Sequence, residues 1–379
     1  MTSSAARTSV TVGTDGVREA TKADNRGLLA LAASSSMKGD ISLRFQREPD
    51  FFALNRLEGQ DARVWVIDAQ DRLAGCIATS FRKVYINGVA TRTGYVGDLK
   101  VHPAHRNTTI ADALSNHAGM QMDAVPDKTP TLITVLAGNK AMERRLPGPR
   151  GVPSFEWLAT IRSHSIPVLW KRRVRGEGSI KIERAKWSDL DEMVQLWTRI
   201  ARERQFAPVF NANSLGEWIR MAPGLNIWSY LLAKSGSGEL LGFVALWNQS
   251  LFKQMYVEKY SRKMAVVAAL TNAIAPRLGG AALARPEEQM QYETAVHVCV
   301  PADNPEILQS LLAFAHNELR HTGCVFFNVG LDVLDPLRFA FEGLFVQPTD
   351  IHAYVTTRGS PLDLGGLRSR PLHYEIALV

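Results

Sequence analysis

The chain has 379 residues, and 44 lysines and arginines against 37 aspartates and glutamates leave a formal charge of +7. At roughly 150 residues per domain this length predicts two domains, each able to bury its own core. The 46% apolar share excludes a disordered, collagen-like or coiled-coil chain, and three cysteines are too few, and odd in number, for a disulfide scaffold.

The first half of the sequence predicts alternating strands and helices. Residues 1–14 are Ser/Thr-rich and are expected to form a flexible tail. A short strand at Val17 leads to a polar turn and a helix, with Asp24 expected as the helix N-cap. Three strands follow in residues 63–103, joined at Gln70-Asp71 and at Asn87-Gly88, a dipeptide typical of type I′ hairpins. A helix at 108–124, a buried strand at 131–137 and a short helix ended by Pro147 complete this half.

The second half repeats this outline. From Ile180 the sequence predicts a strand, then a polar turn with Asp189 as the expected N-cap, and then a helix. This unit lies about 163 residues after the first one, and the repetition indicates a duplicated domain. The charged stretch 171–179 is expected as a linker, so we predict domains at 15–172 and 173–379. A mostly helical insertion is predicted at about 250–284, and its apolar run from Met264 to Ala275 is expected to be a buried helix. A central antiparallel run with helices in the crossovers predicts an α+β (mixed α/β) fold.

The segment from Tyr95 to Leu114 has the most informative chemistry. It predicts a strand that ends at His102-Pro103, a short basic turn, and the start of a helix. A helix N-terminus has unpaired N–H groups and a partial positive charge. Arg106 adds a full charge there, and Thr108 and Thr109 add hydroxyl donors. This combination predicts a site for a diphosphate.

The same segment resembles motif A of the GNAT superfamily, the general-control-type N-acetyltransferases. The family pattern is a strand with L-x-V-x-P, two residues, then R-x-x-G-x-G/A at the start of a helix. Here the chain has Leu99-Lys100-Val101-His102-Pro103, followed by Arg106-Asn107-Thr108-Thr109-Ile110-Ala111. Thr109 replaces the first glycine of the motif, and its side chain narrows the space in which the main chain would approach a diphosphate. Asn107 stands where the family often has another glycine, and asparagine tolerates a left-handed conformation better than most residues.

A second resemblance lies in residues 138–146. Asn139 matches the asparagine of a later helix in the family, and the alternative for Asn139 is a plain helix N-cap. Leu146 stands where the family usually has a tyrosine that protonates the leaving thiolate, which leaves the general acid open.

The resemblance implies two tandem GNAT-like acyl-CoA N-acyltransferase domains. It also implies an N-acetyltransferase that moves an acetyl group from acetyl-CoA to an amine. The pantetheine arm would pair with the strand edge, where a main-chain N–H could polarise the thioester carbonyl. Asp98 matches a frequent acidic position and is the implied general base, with Tyr95 and His102 as further candidates. The implied coenzyme contacts are Leu99, Lys100, Val101, Arg106, Asn107, Thr108, Thr109, Ile110, Ala111 and Asn139.

The second half resembles a more divergent copy. Its corresponding loop has Asp303 and Glu306 but neither arginine nor glycine, so the coenzyme is expected in the first half. The acceptor would be a small-molecule or peptide amine bound between the Asp98 strand and the second half, and a homodimer stays open. Two alternatives remain: a catalytically degenerate CoA-binding or scaffold protein, motivated by Thr109 and Leu146, and a partner surface that binds no coenzyme.

Other partners and sites receive little support from the sequence. The basic residues are spread along the chain rather than concentrated in a stripe, which argues against nucleic-acid binding. His297, Cys299 and His316 lack a metal-site spacing, so no metal is expected. No window reaches the roughly 18 uninterrupted apolar residues of a membrane span, and residues 1–12 lack the apolar region of a secretory signal. We therefore expect a cytoplasmic protein without membrane contact.

Overall fold

A computed structural model describes residues 16–59, 61–70, 72–124, 130–148, 154–174, 180–356 and 363–379. The predicted tail at 1–14, residue Asp71 of the first predicted turn, and residues 175–179 of the predicted linker lie outside these ranges. In the part of the chain that is described, no helix is both long and apolar enough to cross a membrane.

The first half contains the elements that the sequence predicts. Its strands are β1 (Val17–Glu19), β2 (Ser36–Met37), β3 (Ile41–Gln46), β4 (Arg63–Ala69), β5 (Arg72–Ile86), β6 (Val89–Val101), β7 (Thr131–Leu136) and β8 (Glu156–Pro167). Its helices are α1 (Asn25–Ala33), α2 (Phe52–Glu58), α3 (Ile110–Asp123) and α4 (Lys140–Glu143). The predicted hairpin turn between β5 and β6 is confirmed, because Asn87 and Gly88 both have positive φ angles of 50° and 81°.

The second half has nine further strands and five further helices among its described residues. The strands are β9 (Ile180–Arg184), β10 (Ala207–Pro208), β11 (Tyr230–Ser235), β12 (Leu240–Trp247), β13 (Gln254–Tyr260), β14 (Gln289–Met290), β15 (Tyr292–Cys299), β16 (Phe326–Asp332) and β17 (Gln347–Thr356). The helices are α5 (Leu190–Ala201), α6 (Ala212–Met221), α7 (Arg262–Ile274), α8 (Pro305–Leu319) and α9 (Leu364–Arg368).

The insertion predicted as mostly helical at about 250–284 begins instead with a strand. In β13, Met255 and Val257 are buried on one face, a spacing of two that favours a strand over a helix. β13 pairs with β3 of the first half in a second, four-stranded sheet of order β14-β13-β3-β2. The prediction of a buried helix at Met264–Ala275 is also wrong, because most side chains of α7 are exposed and Ala268 is its buried residue.

The duplication predicted from the sequence is visible in the main sheet. Strands β1, β4, β5, β6 and β7 are neighbours in that order, and β9, β11, β12, β15 and β16 repeat the order in the second half. The last pair of each series, β6 with β7 and β15 with β16, is parallel. Gly75 in β5 and Gly242 in β12 hold equivalent positions in the two series of strands. At either position a Cβ would lie 2.9 Å from a neighbouring side chain and would crowd the main chain of the next strand.

The two halves exchange their last strands. The main sheet has 13 strands, and its centre runs β7-β17-β8-β16. β17, near the end of the chain, is therefore bonded to β7 of the first half, whereas β8 is bonded to β16 of the second half. The predicted division at 172/173 stays a prediction, but one continuous sheet crosses it.

Asp24 and Asp189 do not cap the helices that follow them, contrary to our expectation. Each carboxylate instead accepts the main-chain N–H three residues earlier, from Thr21 and from Lys186, at 2.7 Å in both cases. Each aspartate thus closes a short 3₁₀ turn before its helix, and Asp24 also binds Arg18 at 2.7 Å. The same turn in both halves is further structural support for the duplication.

Candidate active site

The central feature of the site is an opening between two parallel strands. β6 and β7 are paired at Gly94–Thr131 and Tyr95–Leu132 and then diverge. Gly94 is required at this point, because a Cβ there would lie 2.6 Å from the sulfur of Met122. The following residues of β6, Val96 to Lys100, line a cavity instead of pairing with β7. Their main-chain groups on this side are available to an added extended ligand.

A β-bulge shapes the wall of this opening. Gly97 pairs with Ala78 and Lys100 with Cys76, so β6 has one residue more than β5 between these pairs. Asp98 lies in the bulge with a φ of 52°, a left-handed conformation that aspartate tolerates better than most residues. The bulge turns the Asp98 carboxylate toward the segment between β3 and α2.

The Asp98 carboxylate is held by three donors. Arg47 Nη1 donates to it at 2.6 Å, Lys100 Nζ at 2.7 Å and Asn55 Nδ2 at 2.9 Å. Burial alone would raise the pKa of Asp98, but Arg47 and Lys100 together hold that pKa well below its ordinary value. A carboxylate stabilised this strongly is a weak proton acceptor, so the general-base role expected for Asp98 does not fit its surroundings.

The cavity has a volume of about 250 Å³ and lies between β6, β7, α3 and α4. One end is polar, with Asn55, Glu58, Asp98 and Lys100 in its wall. The rest of the wall is largely apolar, and includes Ile77, Met122, Ile133, Val135, Leu146 and Phe155. An apolar pocket with a few convergent polar groups at one end is typical of small-molecule sites.

Glu58, at the end of α2, is a buried acid in the polar end of the cavity. Its Oε1 accepts a hydrogen bond from the hydroxyl of Tyr374 at 3.1 Å. Its Oε2 has no hydrogen-bond partner among the described residues and forms an ion pair with Arg82, whose Nη1 is 3.6 Å away. Burial raises the pKa of Glu58 to about 7. The sequence carries no local signal for Glu58, which lies outside every motif described above.

Tyr95 lies beside Glu58 at the point where β6 and β7 diverge. Its hydroxyl is 2.8 Å from Oγ1 of Thr134 on β7, and its ring is 5.6 Å from that of Tyr374. Burial raises the pKa of Tyr95 above its ordinary value, so the phenol stays protonated and is a weaker acid than an exposed tyrosine. Of the three residues expected to be catalytic, Tyr95 and Asp98 line the cavity.

Two further cations near the cavity were also missed. Lys253 donates to the main-chain oxygens of Ala377, at 3.1 Å, and of Val379, and burial lowers its pKa to about 7. It thereby positions the segment whose Leu378 and Val379 line the cavity. Arg145 joins α3 to the end of α4, through Asp112 at 2.6 Å and Ser115 at 3.2 Å, and lines the cavity from the other side.

The predicted diphosphate loop leads directly from β6 to α3. The first helical hydrogen bond joins Ala113 N–H to Thr109 oxygen, so α3 begins as expected. Asn107 has the left-handed conformation that the sequence suggested, with a φ of 66°. Thr108 Oγ1 donates to the His105 carbonyl at 2.7 Å, and Arg106 is exposed, with Nη2 3.4 Å from Ser35 Oγ.

His102 belongs to this loop rather than to the cavity wall. Its exposed ring accepts a hydrogen bond from Ala104 N–H at 3.3 Å and caps the 3₁₀ turn of residues 103–105. Of the other expected coenzyme contacts, Leu99 and Lys100 line the cavity and Val101 continues β6 toward the loop. Ile110 and Ala111 are in the first turn of α3, and the Ile110 side chain is buried.

Asn139 is the N-cap of α4, and its expected role as a coenzyme contact stays a prediction. Its side chain accepts a hydrogen bond from Met142 N–H at 3.3 Å and so caps α4, and the residue also lines the cavity. Leu146, in the position where the resemblance has a tyrosine, is buried and packs with Ile133 and Val135. No hydroxyl is available at this position, which leaves Tyr95 as a phenol in the cavity.

The equivalent opening in the second half is filled by the chain itself. β15 and β16 also pair over a short stretch, Tyr292–Thr294 with Phe326–Asn328, and then diverge. Residues 372–378 occupy the gap. Glu375 accepts the main-chain N–H of His297 at 2.9 Å, and Ile376 packs so closely on Gly330 that a Cβ there would lie 2.5 Å from it. This finding and the acidic loop at Asp303 and Glu306 both favour a coenzyme site in the first half.

Comparisons with known proteins agree with this architecture. Residues 17–133 match the sequence model of a family described as an acetyltransferase (GNAT) domain. No curated protein sequence matches the chain. A solved structure of Saccharomyces cerevisiae N-myristoyltransferase with bound myristoyl-CoA is similar over 94% of this chain and 84% of that chain, with a TM-score of 0.61 and 12% identity.

A second structure of that yeast enzyme with bound myristoyl-CoA is similar over 91% of this chain and 84% of that chain, with a TM-score of 0.60 and 11% identity. Identities this low show a shared fold and nothing finer. Residues 17–133 are therefore similar to a GNAT acetyltransferase domain, and the chain as a whole has a duplicated α/β fold similar to that of N-myristoyltransferase.

Proposed function

We propose that the protein is an N-acyltransferase that moves an acyl group from acyl-CoA to an amine. One observation carries the proposal: β6 and β7 diverge after Tyr95 and Leu132 beside a largely apolar cavity, and β6 leads directly to the N-terminus of α3. The diverging strands offer main-chain groups to an extended pantetheine arm. The helix N-terminus offers N–H groups and partial positive charge to a diphosphate.

The coenzyme contacts follow the order of the chain. Main-chain groups of Leu99, Lys100 and Val101 would pair with pantetheine, and the main-chain N–H groups of Thr109 to Ala111 would bind the diphosphate, with Arg106 beside it. Asn107 and Thr108 shape this loop through the left-handed turn and the bond to His105. His102 fixes the 3₁₀ turn before the loop, so we assign it a positioning role. Asn139 lines the opposite side of the cavity.

The proton of the acceptor amine needs a base, and Glu58 suits that role better than Asp98. An ammonium group must lose a proton before it attacks the thioester, and a base whose pKa is near the working pH is the most effective. Glu58 lines the cavity, has an oxygen without a hydrogen-bond partner among the described residues, and has a pKa raised to about 7. Asp98 would position Arg47 and Lys100 beside it.

The remaining steps balance without a cofactor beyond CoA. The amine nitrogen forms a bond to the thioester carbonyl carbon, the carbon–sulfur bond breaks, and the products are an amide and the CoA thiol. Tyr95, which holds a phenol in the cavity, would protonate the leaving thiolate, and the second proton that the nitrogen loses as the amide forms would restore the Tyr95 phenol. The acceptor, a small-molecule or peptide amine, would approach from the polar end of the cavity, where Asn55 and Glu58 lie.

Acetyl-CoA is the donor that the motif resemblance implies, and a longer acyl-CoA is the second candidate. The apolar wall formed by Ile77, Met122 and Ile133 favours the longer donor, since a two-carbon group uses little of a cavity of about 250 Å³. The similar yeast N-myristoyltransferase structures contain bound myristoyl-CoA. The two candidates differ in the length of the acyl chain and share every other step.

Release of CoA thiol tests the proposal. Acetyl-, octanoyl- and myristoyl-CoA would each be incubated with a panel of amines, including small molecules and peptides with a free N-terminus. Thiol release that depends on the amine, with an amide of the expected mass, supports N-acyl transfer, and the best donor identifies the chain length. Tight coenzyme binding without turnover on any amine would favour the scaffold alternative, and no binding of any acyl-CoA would remove the proposal.

A further inference from the structure

Helix α7 turns its large apolar side chains outward. Val266, Leu270 and Ile274 are 62%, 60% and 53% exposed, and Val267 is 42% exposed. The helix buries only Ala268 among its own residues. A surface helix normally buries its apolar stripe and exposes its polar face, so α7 has the reverse arrangement. Its outward face is a continuous apolar strip of the kind that marks a docking surface.

Polar contacts fix the helix in this orientation. Asn272 donates through Nδ2 to the Leu283 carbonyl at 3.1 Å and accepts from the Leu283 N–H at 2.7 Å. Ser261, directly before the helix, donates its main-chain N–H to the Asp40 carbonyl at 2.8 Å. Both contacts tie the small and polar side of α7 to the protein, so the helix cannot roll to bury its valines and leucine without losing them.

The charged side chains within α7 and directly after it are all positive. Arg262 and Lys263 precede the apolar strip and Arg277 follows it, and the sequence contains no acidic residue from 261 to 285. The acids near α7 lie on adjoining segments: Glu258 and Glu287 are 3.8 and 3.0 Å from Arg44, Glu288 accepts from Arg285 N–H at 2.9 Å, and the exposed Asp40 meets Ser261 through its carbonyl. The strip is therefore bounded by cations at both ends.

We propose that α7 docks on the surface of an anionic lipid bilayer. At 1.5 Å per residue, the 13 residues of α7 give a helix about 20 Å long, and its apolar strip from Val266 to Ile274 spans about 12 Å. Such a helix lies in the plane of the interface, with its apolar face between headgroups and acyl chains. Arg262, Lys263 and Arg277 would bind anionic headgroups at the two ends. The inference is independent of the acyl-transfer chemistry.

A bilayer suits this surface better than a protein partner. In a second copy of the chain, antiparallel packing of two α7 helices would place Arg262 and Lys263 against Arg277, and parallel packing would place like cations together. Both arrangements are repulsive. An acidic protein helix would need cations along the strip to pair with its carboxylates, and the sequence has none between Lys263 and Arg277.

Vesicle co-sedimentation of the full chain tests the proposal. The chain should sediment with phosphatidylcholine vesicles that contain phosphatidylglycerol and remain in the supernatant with phosphatidylcholine alone. V266D/L270D should abolish sedimentation, whereas V89D, at a residue 65% exposed on the β5–β6 turn, should not. R262Q/K263Q should weaken binding about fivefold for each cation removed.

Thermal unfolding of each variant shows whether it folds, and the exposed positions predict an unchanged midpoint. Three outcomes would overturn the proposal: a wild-type chain that stays in the supernatant with anionic vesicles, a V266D/L270D variant that sediments like the wild type, or equal loss of binding in V89D. If the wild type is a dimer, V266D/L270D is a monomer, and neither binds vesicles, the strip would be the contact surface for a second copy of the chain instead.

Discussion

Asp98 and His297 occupy equivalent positions in the two halves of the molecule. Each has a φ of 52° in the middle of a strand, and each lies at a register shift, in β5–β6 and in β12–β15. In β6 the bulge turns a carboxylate toward Arg47 beside an open cavity. In β15 it places an imidazole 2.6 Å from the Tyr230 hydroxyl, where residues 372–378 fill the gap. The same backbone feature therefore borders an open site in one half and a filled site in the other.

The Asp98 network predicts a stability effect rather than a loss of the base. In Asp98→Asn, the Arg47 guanidinium, whose side chain is only 7% exposed, loses its counter-charge. Removing the negative partner of this buried ion pair leaves the Arg47 charge unpaired, which should lower the free energy of unfolding by about 3 kcal/mol. Asp61→Asn is the matched control, because the Asp61–Arg92 pair is exposed and contributes little. Urea unfolding measures both variants, and equal stabilities would contradict the network.

The pH dependence of this effect has a definite sign. The folded-state pKa of Asp98 is lowered, so its contribution is present above the unfolded-state pKa and is lost as the pH falls toward the folded-state value. The difference in unfolding midpoint between wild type and Asp98→Asn should therefore be constant at neutral pH and shrink below about pH 4. The acid limb of the pH–rate profile should persist in Asp98→Asn, shifted toward lower pH because the Asp98 charge helps to raise the pKa of Glu58, and its disappearance would restore Asp98 as the base.

Glu58→Gln should remove the proton acceptor. We expect turnover to fall by roughly 10²–10⁴-fold while the KM for acyl-CoA is unchanged, because Gln keeps the size but accepts no proton. In the wild type, the rate should rise through about pH 7 as Glu58 ionises, and the variant should lack this limb. Glu217→Gln, an exposed acid on α6, is the control. Unchanged turnover in Glu58→Gln would reject this base and leave acyl transfer itself standing.

Stability gives an independent check on Glu58. Its folded-state pKa is raised by burial, so its contribution is present below the unfolded-state pKa of about 4 and is lost as the pH rises through about 7. Glu58→Gln has no such loss. Its unfolding midpoint relative to wild type should therefore rise between pH 5 and pH 8, as differential scanning calorimetry can measure.

How much of this site the sequence could predict depends on how local each feature is. The strand, turn and helix from Leu99 to Leu114 form one contiguous segment, and their order and the left-handed Asn107 were predicted. Arg47, Glu58 and Lys253 come from separate segments that only the tertiary fold brings to Asp98. The outward face of α7 was missed because an apolar run indicates burial by default, and the sequence does not say which face finds a partner.

Arg106→Ala should weaken coenzyme binding. Charge-assisted contacts to a phosphate contribute about 1.5–3 kcal/mol, which corresponds to a Kd at least about 10-fold higher. Arg106 is exposed, so the difference should diminish as ionic strength rises. Arg92→Ala, an exposed arginine on the β5–β6 hairpin, is the control. Titration calorimetry with acyl-CoA measures both, and equal affinities would move the diphosphate away from this loop.

Gly330→Ala should destabilise the filled gap in the second half. A Cβ at Gly330 would lie 2.5 Å from Cγ2 of Ile376, so the segment at 372–378 would have to shift. Overpacking of this kind costs about 1–3 kcal/mol. Gly236→Ala is the matched control, because a Cβ there would meet nothing within 4 Å. Chemical unfolding compares the two, and a Gly330→Ala variant as stable as wild type would show that the segment does not pack tightly in the gap.

The exchange of β8 and β17 predicts that the first half cannot fold fully alone. β7 is bonded along its length to β17, and β8 has both its partners, β17 and β16, in the second half. A fragment of residues 15–172 would therefore expose an unpaired β7 edge and leave β8 without a sheet, and unpaired main-chain groups are costly.

We expect this fragment to lack a cooperative thermal transition by circular dichroism and to bind no acyl-CoA. Co-expression with residues 173–379 should restore both properties, because that fragment supplies β16 and β17. A cooperative transition and coenzyme binding by 15–172 alone would show that the exchanged strands are not required for the fold of the first half.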